Sequence, residues 1–101
     1  MAATHIVAWN LKADIPEADI PAVKAGIKEN LEALVGKVPG LLSARVIDKP
    51  VSGSSRDLML ITTHESAEAI AVYAKDPVHN ATADRFVRPY TCDRVSMNFE
   101  D

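Results

Sequence analysis

Two β-rich runs stand back to back in the middle of this chain, LLSARVIDK (Leu41–Lys49) and DLMLITT (Asp57–Thr63), joined through PVSGSSRD. The joining segment holds Pro, Gly and Ser, residues that let a backbone reverse, and has no apolar periodicity of its own. The two runs therefore read as an antiparallel hairpin. On each side of the hairpin the apolar spacing becomes helical, and beyond each helix lies one more strand-like run. The order is β-α-β-β-α-β in 101 residues, a common size for one domain, so residues 1–101 are expected to form a single domain. Such an order closes as a four-stranded antiparallel sheet with both helices on one face, a ferredoxin-like α+β fold.

The flanking elements follow from local chemistry. Thr4–Lys12 (THIVAWNLK) places His5, Val7, Trp9 and Leu11 on one face and Ile6, Ala8 and Asn10 on the other. The first helix is expected from Ile20 to Val35, with Val23, Ile27, Leu31 and Leu34 at helical spacing and Lys24, Lys28, Glu29 and Glu32 opposite. Asp19 is its expected N-cap, Pro21 is tolerated in the first turn, and Gly36 suits a left-handed C-cap, with Lys37 complementing the helix dipole. In the hairpin, Leu42, Ala44 and Val46 oppose Leu41, Ser43, Arg45 and Ile47, while Leu58 and Leu60 oppose Met59 and Ile61. Ser66 should cap the second helix, whose apolar stripe is Ala69, Ile70 and Tyr73. Asp76 precedes Pro77, which biases it away from helix. A helical pattern restarts over Val78–Val87, with His79, Ala83 and Phe86 at i, i+4 and i+7, and Pro89 ends it. Tyr90–Phe99 is the last strand, with Val95, Met97 and Phe99 opposite Arg94, Ser96 and Asn98.

Helices on one face leave the other face of the sheet bare. The strands are apolar on both phases, so that face would be a large hydrophobic patch, and such a patch marks an interface. A homodimer with two sheets face to face is the expected assembly. The net charge of −3 and the lack of any long basic run argue against nucleic-acid binding. No apolar run is long enough to span a bilayer, and the N-terminus lacks the pattern of a signal peptide, so a cytoplasmic protein is expected. Cys92 is the single cysteine; it can form no intrachain disulfide and reads as a small hydrophobe.

Several segments together resemble the stress-responsive A/B barrel (Dabb) domain family: HIVAWNLK, VPGLLSARV, DLMLITTHESAEAIAVYAKDPVHN and DRVSMNFE. The most recognisable is the YxxxPxH arrangement from Tyr73 through Pro77 to His79. The resemblance runs over essentially the whole chain and implies a ferredoxin-like protomer that dimerises into an α+β barrel. Most such domains have no established activity, and some are stress-related proteins in stable assemblies. A few plant members cyclise linear polyketides by intramolecular aldol condensation. Carried onto this sequence, that pattern makes His79 the base and Tyr73 its assistant, with His5 near the pocket. The segment NATADRFVRPYTCD lacks the aromatic residues of the cyclase pattern, and only 5% of the chain is aromatic.

Aldol chemistry needs a base that titrates near working pH and a donor for the enolate oxygen, roles open to a neutral His and a Tyr hydroxyl. Six residues of unbroken helix would hold Tyr73 and His79 apart around the axis, and the break at Pro77 can swing them toward one cavity. Ligand contacts are expected from His5, Trp9 and Phe86. Each residue also has a structural role open to it: His79 as a cap, Tyr73 and Trp9 as core, His5 as a satisfied core histidine, His64 as a loop or capping residue. No metal-ligand spacing or phosphate loop is present, and no metal or cofactor is expected. The first reading is a small dimeric domain of undefined role with a small molecule held between helices and sheet. The second is a cofactor-free cyclase or lyase acting on a carbonyl, polyketide-like substrate. The third is a cofactor-free oxygenase of the dimeric barrel class.

Overall fold

The computed structural model describes residues 1–100. Strand β1 (Ala3–Leu11) leads to helix α1 (Ile20–Glu32), the hairpin β2 (Leu41–Ile47) and β3 (Leu58–His64), helices α2 (Ala67–Lys75) and α3 (Pro77–Phe86), and strand β4 (Thr91–Glu100). The sheet order is β2-β3-β1-β4 with every pair antiparallel. The ferredoxin-like arrangement is therefore present, with the second helix divided in two at Pro77.

The register sets side chains in rows across the sheet. Val46, Leu60, Val7 and Ser96 form one row, and Ala44, Thr62, His5 and Asn98 the next. On this inward face Ile27, Leu31 and Leu34 of the α1 region pack over Val7, Val46, Leu58 and Leu60 to make the core. The opposite face carries Ile6, Ala8, Met59, Ile61, Val95 and Met97, and Met97 is 65% exposed. Both phases are apolar, as the strand sequences imply. Among the described residues no helix is long and apolar enough to cross a membrane.

Three local expectations are corrected. Helix α1 stops at Glu32, not Val35, and Gly36 (φ 89°) belongs to a separate turn in which Lys37 and Val38 both donate to the Leu34 carbonyl. Buried Leu34 and Val38 continue the apolar spacing of Leu31 through that turn, so periodicity outruns the helix, and Lys37 lies beyond its last turn. Asp19 does not cap α1 with its side chain. A short 3-10 turn over Glu17–Asp19 runs straight into the helix, and Asp19 is already in helical backbone conformation. Finally, a bulge where Leu41 pairs with His64 but Ser43 pairs with Thr63 moves β2 by one residue. Leu41 thereby joins Ala44 and Val46 inside, while Leu42 is 51% exposed.

Two devices fix the helix layer on the sheet. Lys28 Nζ donates to the Val46 carbonyl (2.8 Å), and the Val46 N–H donates to Glu32 Oε2 (2.8 Å), so an i, i+4 pair from α1 occupies the free edge of β2. Burial pushes the Glu32 carboxyl up, but the Val46 N–H and Lys28 outweigh it and hold the group below its ordinary range. At the other end of β2, Gly40 has φ 80°, and a Cβ there would lie 2.8 Å from Ala69 Cβ. Only glycine lets the backbone approach α2 so closely in that conformation.

Candidate functional site

The break between α2 and α3 is built by four residues. Ser66 Oγ accepts from the Ala69 N–H at 3.2 Å and starts α2. Asp76 has the extended backbone that a following proline favours, ends α2, and caps α3 by accepting from Val78 N (2.8 Å) and His79 N (3.0 Å). Pro77 opens α3, where its missing N–H costs nothing. Asn80 Nδ2 then donates to the Ala74 and Asp76 carbonyls, both at 3.1 Å, and splints the two helices.

This corner stacks the His79 ring on Tyr73, with centroids 3.9 Å apart and planes at 30°. The other two histidines also meet that phenol. His64 lies edge-on at 5.1 Å and His5 is at 6.1 Å. All three histidines of the chain therefore surround Tyr73, which is itself buried. They gather round a phenol ring rather than a common point: among the described residues no cluster of three or more His, Cys, Asp or Glu side chains is placed to hold a metal ion.

His64 is a correction to the loop or capping role. It is the last residue of β3, fully buried at 0% exposure, and follows Leu58, Leu60 and Thr62 on the inward face. Its strand phase carries this signal, because a period of two from Leu58 lands on residue 64. Thr62 Oγ1 donates to the His5 carbonyl (3.4 Å), so it accepts from His64 Nε2 (2.8 Å). That places the His64 proton on Nε2 and leaves its buried Nδ1 without a partner.

The surroundings set the protonation states. Burial lowers the His79 pKa, Arg88 lowers it further, and the nearby Tyr73 carbonyl and Asp76 only partly oppose them. Burial likewise lowers His5, against a hydrogen bond in which its Nδ1 faces Asn98 Oδ1 at 2.5 Å. His64 is lowered by burial and by His5. The Tyr73 hydroxyl is pushed up to about 12 by burial, despite the opposing charge of Arg94. At neutral pH the site thus holds three uncharged imidazoles and one protonated phenol. His79 Nδ1 is buried without a hydrogen-bond partner.

His5, Tyr73 and His79, but not the fully buried His64, line a cavity of about 450 Å³, in the range of small-molecule sites. Val7, Trp9, Leu31, Leu60, Ala83 and Val87 form its apolar wall, and His5, Arg94, Ser96 and Asn98 its polar one, with Arg88 also at the lining. The structure brings together four of the five expected site residues, His79, Tyr73, His5 and Trp9. Trp9 serves the core and the cavity at once. Phe86 does not join them. It lies toward α1, near Gly26, with the Arg85 guanidinium 4.9 Å from its ring, at the C-terminal end of α3 one turn beyond Ala83. The polar wall escaped the sequence reading as a site, although the alternation Arg94, Ser96, Asn98 was its signal.

Comparison with known proteins bears on the fold. The model of the stress responsive A/B barrel domain matches residues 3–101. A dimeric ferredoxin-like protein of unknown function from Bacteroides fragilis superposes with a TM-score of 0.87 at 23% identity, covering 99% of this chain and 96% of that one. A Dabb family protein with a ferredoxin-like fold from Mesorhizobium loti gives 0.73 at 13% identity, covering 99% and 96%. SnoaB, a cofactor-independent oxygenase from Streptomyces nogalater, gives 0.66 at 12% identity, covering 99% and 92%. No curated protein sequence matches the chain.

Proposed function

This chain belongs to the stress-responsive A/B barrel domain family, and from that premise we propose that it works as a homodimer binding a small organic molecule against the Tyr73–His79 pair. The observation that carries the reading is the corner at Asp76–Pro77, which stacks two residues six positions apart at 3.9 Å beside a cavity. The dimer rests on the bare apolar face of the sheet, where Val95 and Met97 are 47% and 65% exposed in the single chain. The Bacteroides neighbour, itself dimeric, supports it.

The protonation states favour a second reading, proton removal beside a carbonyl. His79, held uncharged, has the free lone pair of a base, and Tyr73, held protonated, has the O–H to donate to a developing enolate oxygen. His5 and Trp9 would orient the substrate from the facing strand. Because the His79 pKa is lowered, activity should persist below pH 6.5 and fall only as the ring protonates at lower pH. An oxygenase works on this fold in the Streptomyces neighbour, but fold alone does not bring its chemistry here.

Sedimentation and native mass spectrometry of protein purified from its own host test the main reading together. We expect twice the chain mass and an additional small organic mass that Tyr73→Ala no longer retains. A stable monomer removes the face-to-face sheet. A dimer whose Trp9 fluorescence stays unmoved across a set of small carbonyl compounds, with no retained mass, removes the cavity as a binding site.

A further inference from the structure

We infer that the cavity takes a carboxylate with an apolar body, anchored through Arg94 on β4, an inference that rests on the cavity being a binding site. The charge pattern is the first ground. The chain has 14 acidic against 11 basic residues, yet Arg88 and Arg94 line the cavity and no Asp or Glu does among the described residues.

The two arginines are not equivalent. Arg88 is engaged, with Nη1 on Asp84 Oδ1 (2.5 Å) and Nη2 on Asn80 Oδ1 (3.0 Å). Arg94 has one side-chain partner among the described residues, Ser96 Oγ at 3.4 Å. Among the described residues Arg94 forms no ion pair, its neighbour Asp93 included, and the Asp93 carboxylate accepts from Asn10 Nδ2 at 3.1 Å. Alternation from Asn98 and Ser96 places Arg94 at this wall, and a bulge follows it: Val95 pairs with Ala8 and Cys92 with Asn10, so Asp93 and Arg94 together oppose Trp9. Asp93 absorbs the extra residue with φ 53°. Arg94 lines the cavity together with His5, Tyr73 and His79, and its charge lowers the pKa of both His5 and Tyr73.

The remaining polar groups are donors in search of an acceptor. Asn98 Oδ1 is taken by His5, which leaves the amide N–H groups free. Ser96 and Tyr73 add hydroxyls. A carboxylate accepts from all of these and pairs with a guanidinium in two parallel bonds. Opposite stands the apolar wall of Val7, Trp9, Leu31 and Val87, which calls for an alkyl or aryl body. Cations are disfavoured by the same arginines. The class is thus short alkyl or aryl carboxylates, and 2- or 3-oxo acids are those on which Tyr73 and His79 could act.

The test uses a matched pair of probes, 3-phenylpropanoate and 3-phenylpropanamide, titrated into the full chain and followed by Trp9 fluorescence. The carboxylate should bind about tenfold tighter than the amide, a margin that shrinks with added salt. Arg94→Gln should bring the ratio to about one and Arg94→Lys should keep part of it, since a point charge survives without the bidentate fork. Arg85→Gln, with the same change in net charge but over Phe86, should leave the ratio intact. Equal binding of both probes to the unaltered chain, or a preference that survives Arg94→Gln, overturns the anion site and leaves the cavity reading standing. If neither probe moves Trp9, both fall.

Discussion

The inward face of the sheet is two half-sites built on the same rows. Toward β2 and β3 lies packed hydrocarbon: Val46, Leu58 and Leu60 lie under Ile27 and Leu34, and none is more than 2% exposed. Toward β4 the same rows end in Ser96 and Asn98, both exposed, and in the cavity. Helix α1 fills the first half. The α2–α3 corner covers the second half incompletely, because the break at Asp76–Pro77 spends helix length on a turn. Function has room where the helix layer runs out, and stability resides where it does not.

That division orders the expected effects. Leu34→Ala in the filled half should cost about 2–5 kcal/mol in urea unfolding, because α1 and the strands cannot close on the void. A cost below 1 kcal/mol would mean the two halves are packed alike. Asp76→Ala removes the cap on two α3 amides and should cost about 0.5–2 kcal/mol. It should also shift the His79 ring resonances, since the corner that stacks them on Tyr73 loosens; unchanged resonances would show that Pro77 alone holds the geometry.

Acidification gives a smaller, graded effect that belongs to the open half. His5, His64 and His79 all have folded pKa values below 6.5, so the unfolded chain binds protons first as pH falls. Stability is therefore full above about pH 6.5 and declines below it, toward the folded values. The Glu32 contribution, also from a lowered pKa, is lost only at more acid pH, below its ordinary 4.5. The two windows separate the halves: a melting temperature flat from pH 7.5 to 5.5 would deny the imidazoles their buried, neutral state. Smallest of all, Tyr73→Phe should change stability by less than about 0.5 kcal/mol, since the hydroxyl has no protein partner among the described residues, while weakening ligand binding. A large loss of stability with unaltered binding would make Tyr73 a core pillar only.

Much of this organisation was legible in the residues. The hairpin signal, the phases of β1, β3 and β4, the cap at Ser66 and the non-helical Asp76 before Pro77 are local, and local chemistry decided them; that Asp76, not His79, caps α3 emerged only with the structure. The proline break was legible too, but its angle was not, because the five residues between Tyr73 and His79 permit several rotations and Asn80 bridges the two helices in one of them. The β2 phase was misread at Leu41–Leu42, where a bulge leaves no mark in two adjacent leucines. His64 was missed because its strand runs one residue past the expected end at Thr63. Phe86 was assigned to the site by helical spacing, which orders residues along a face but does not say whether that face meets α1 or the cavity. Arg94 shares the legible phase of Ser96 and Asn98, whereas the bulge at Asp93 beside it is announced by no glycine.

The measurement that tests the account most directly is an NMR titration of the full chain with a small aryl oxo acid such as phenylpyruvate, following backbone amides and imidazole resonances. The account predicts shifts at His5, Tyr73, His79 and Arg94, with the α1 half silent. Shifts confined to the outer groove between Ile47, Met59, Val95 and the β2–β3 loop, or to no residue at all, would contradict it.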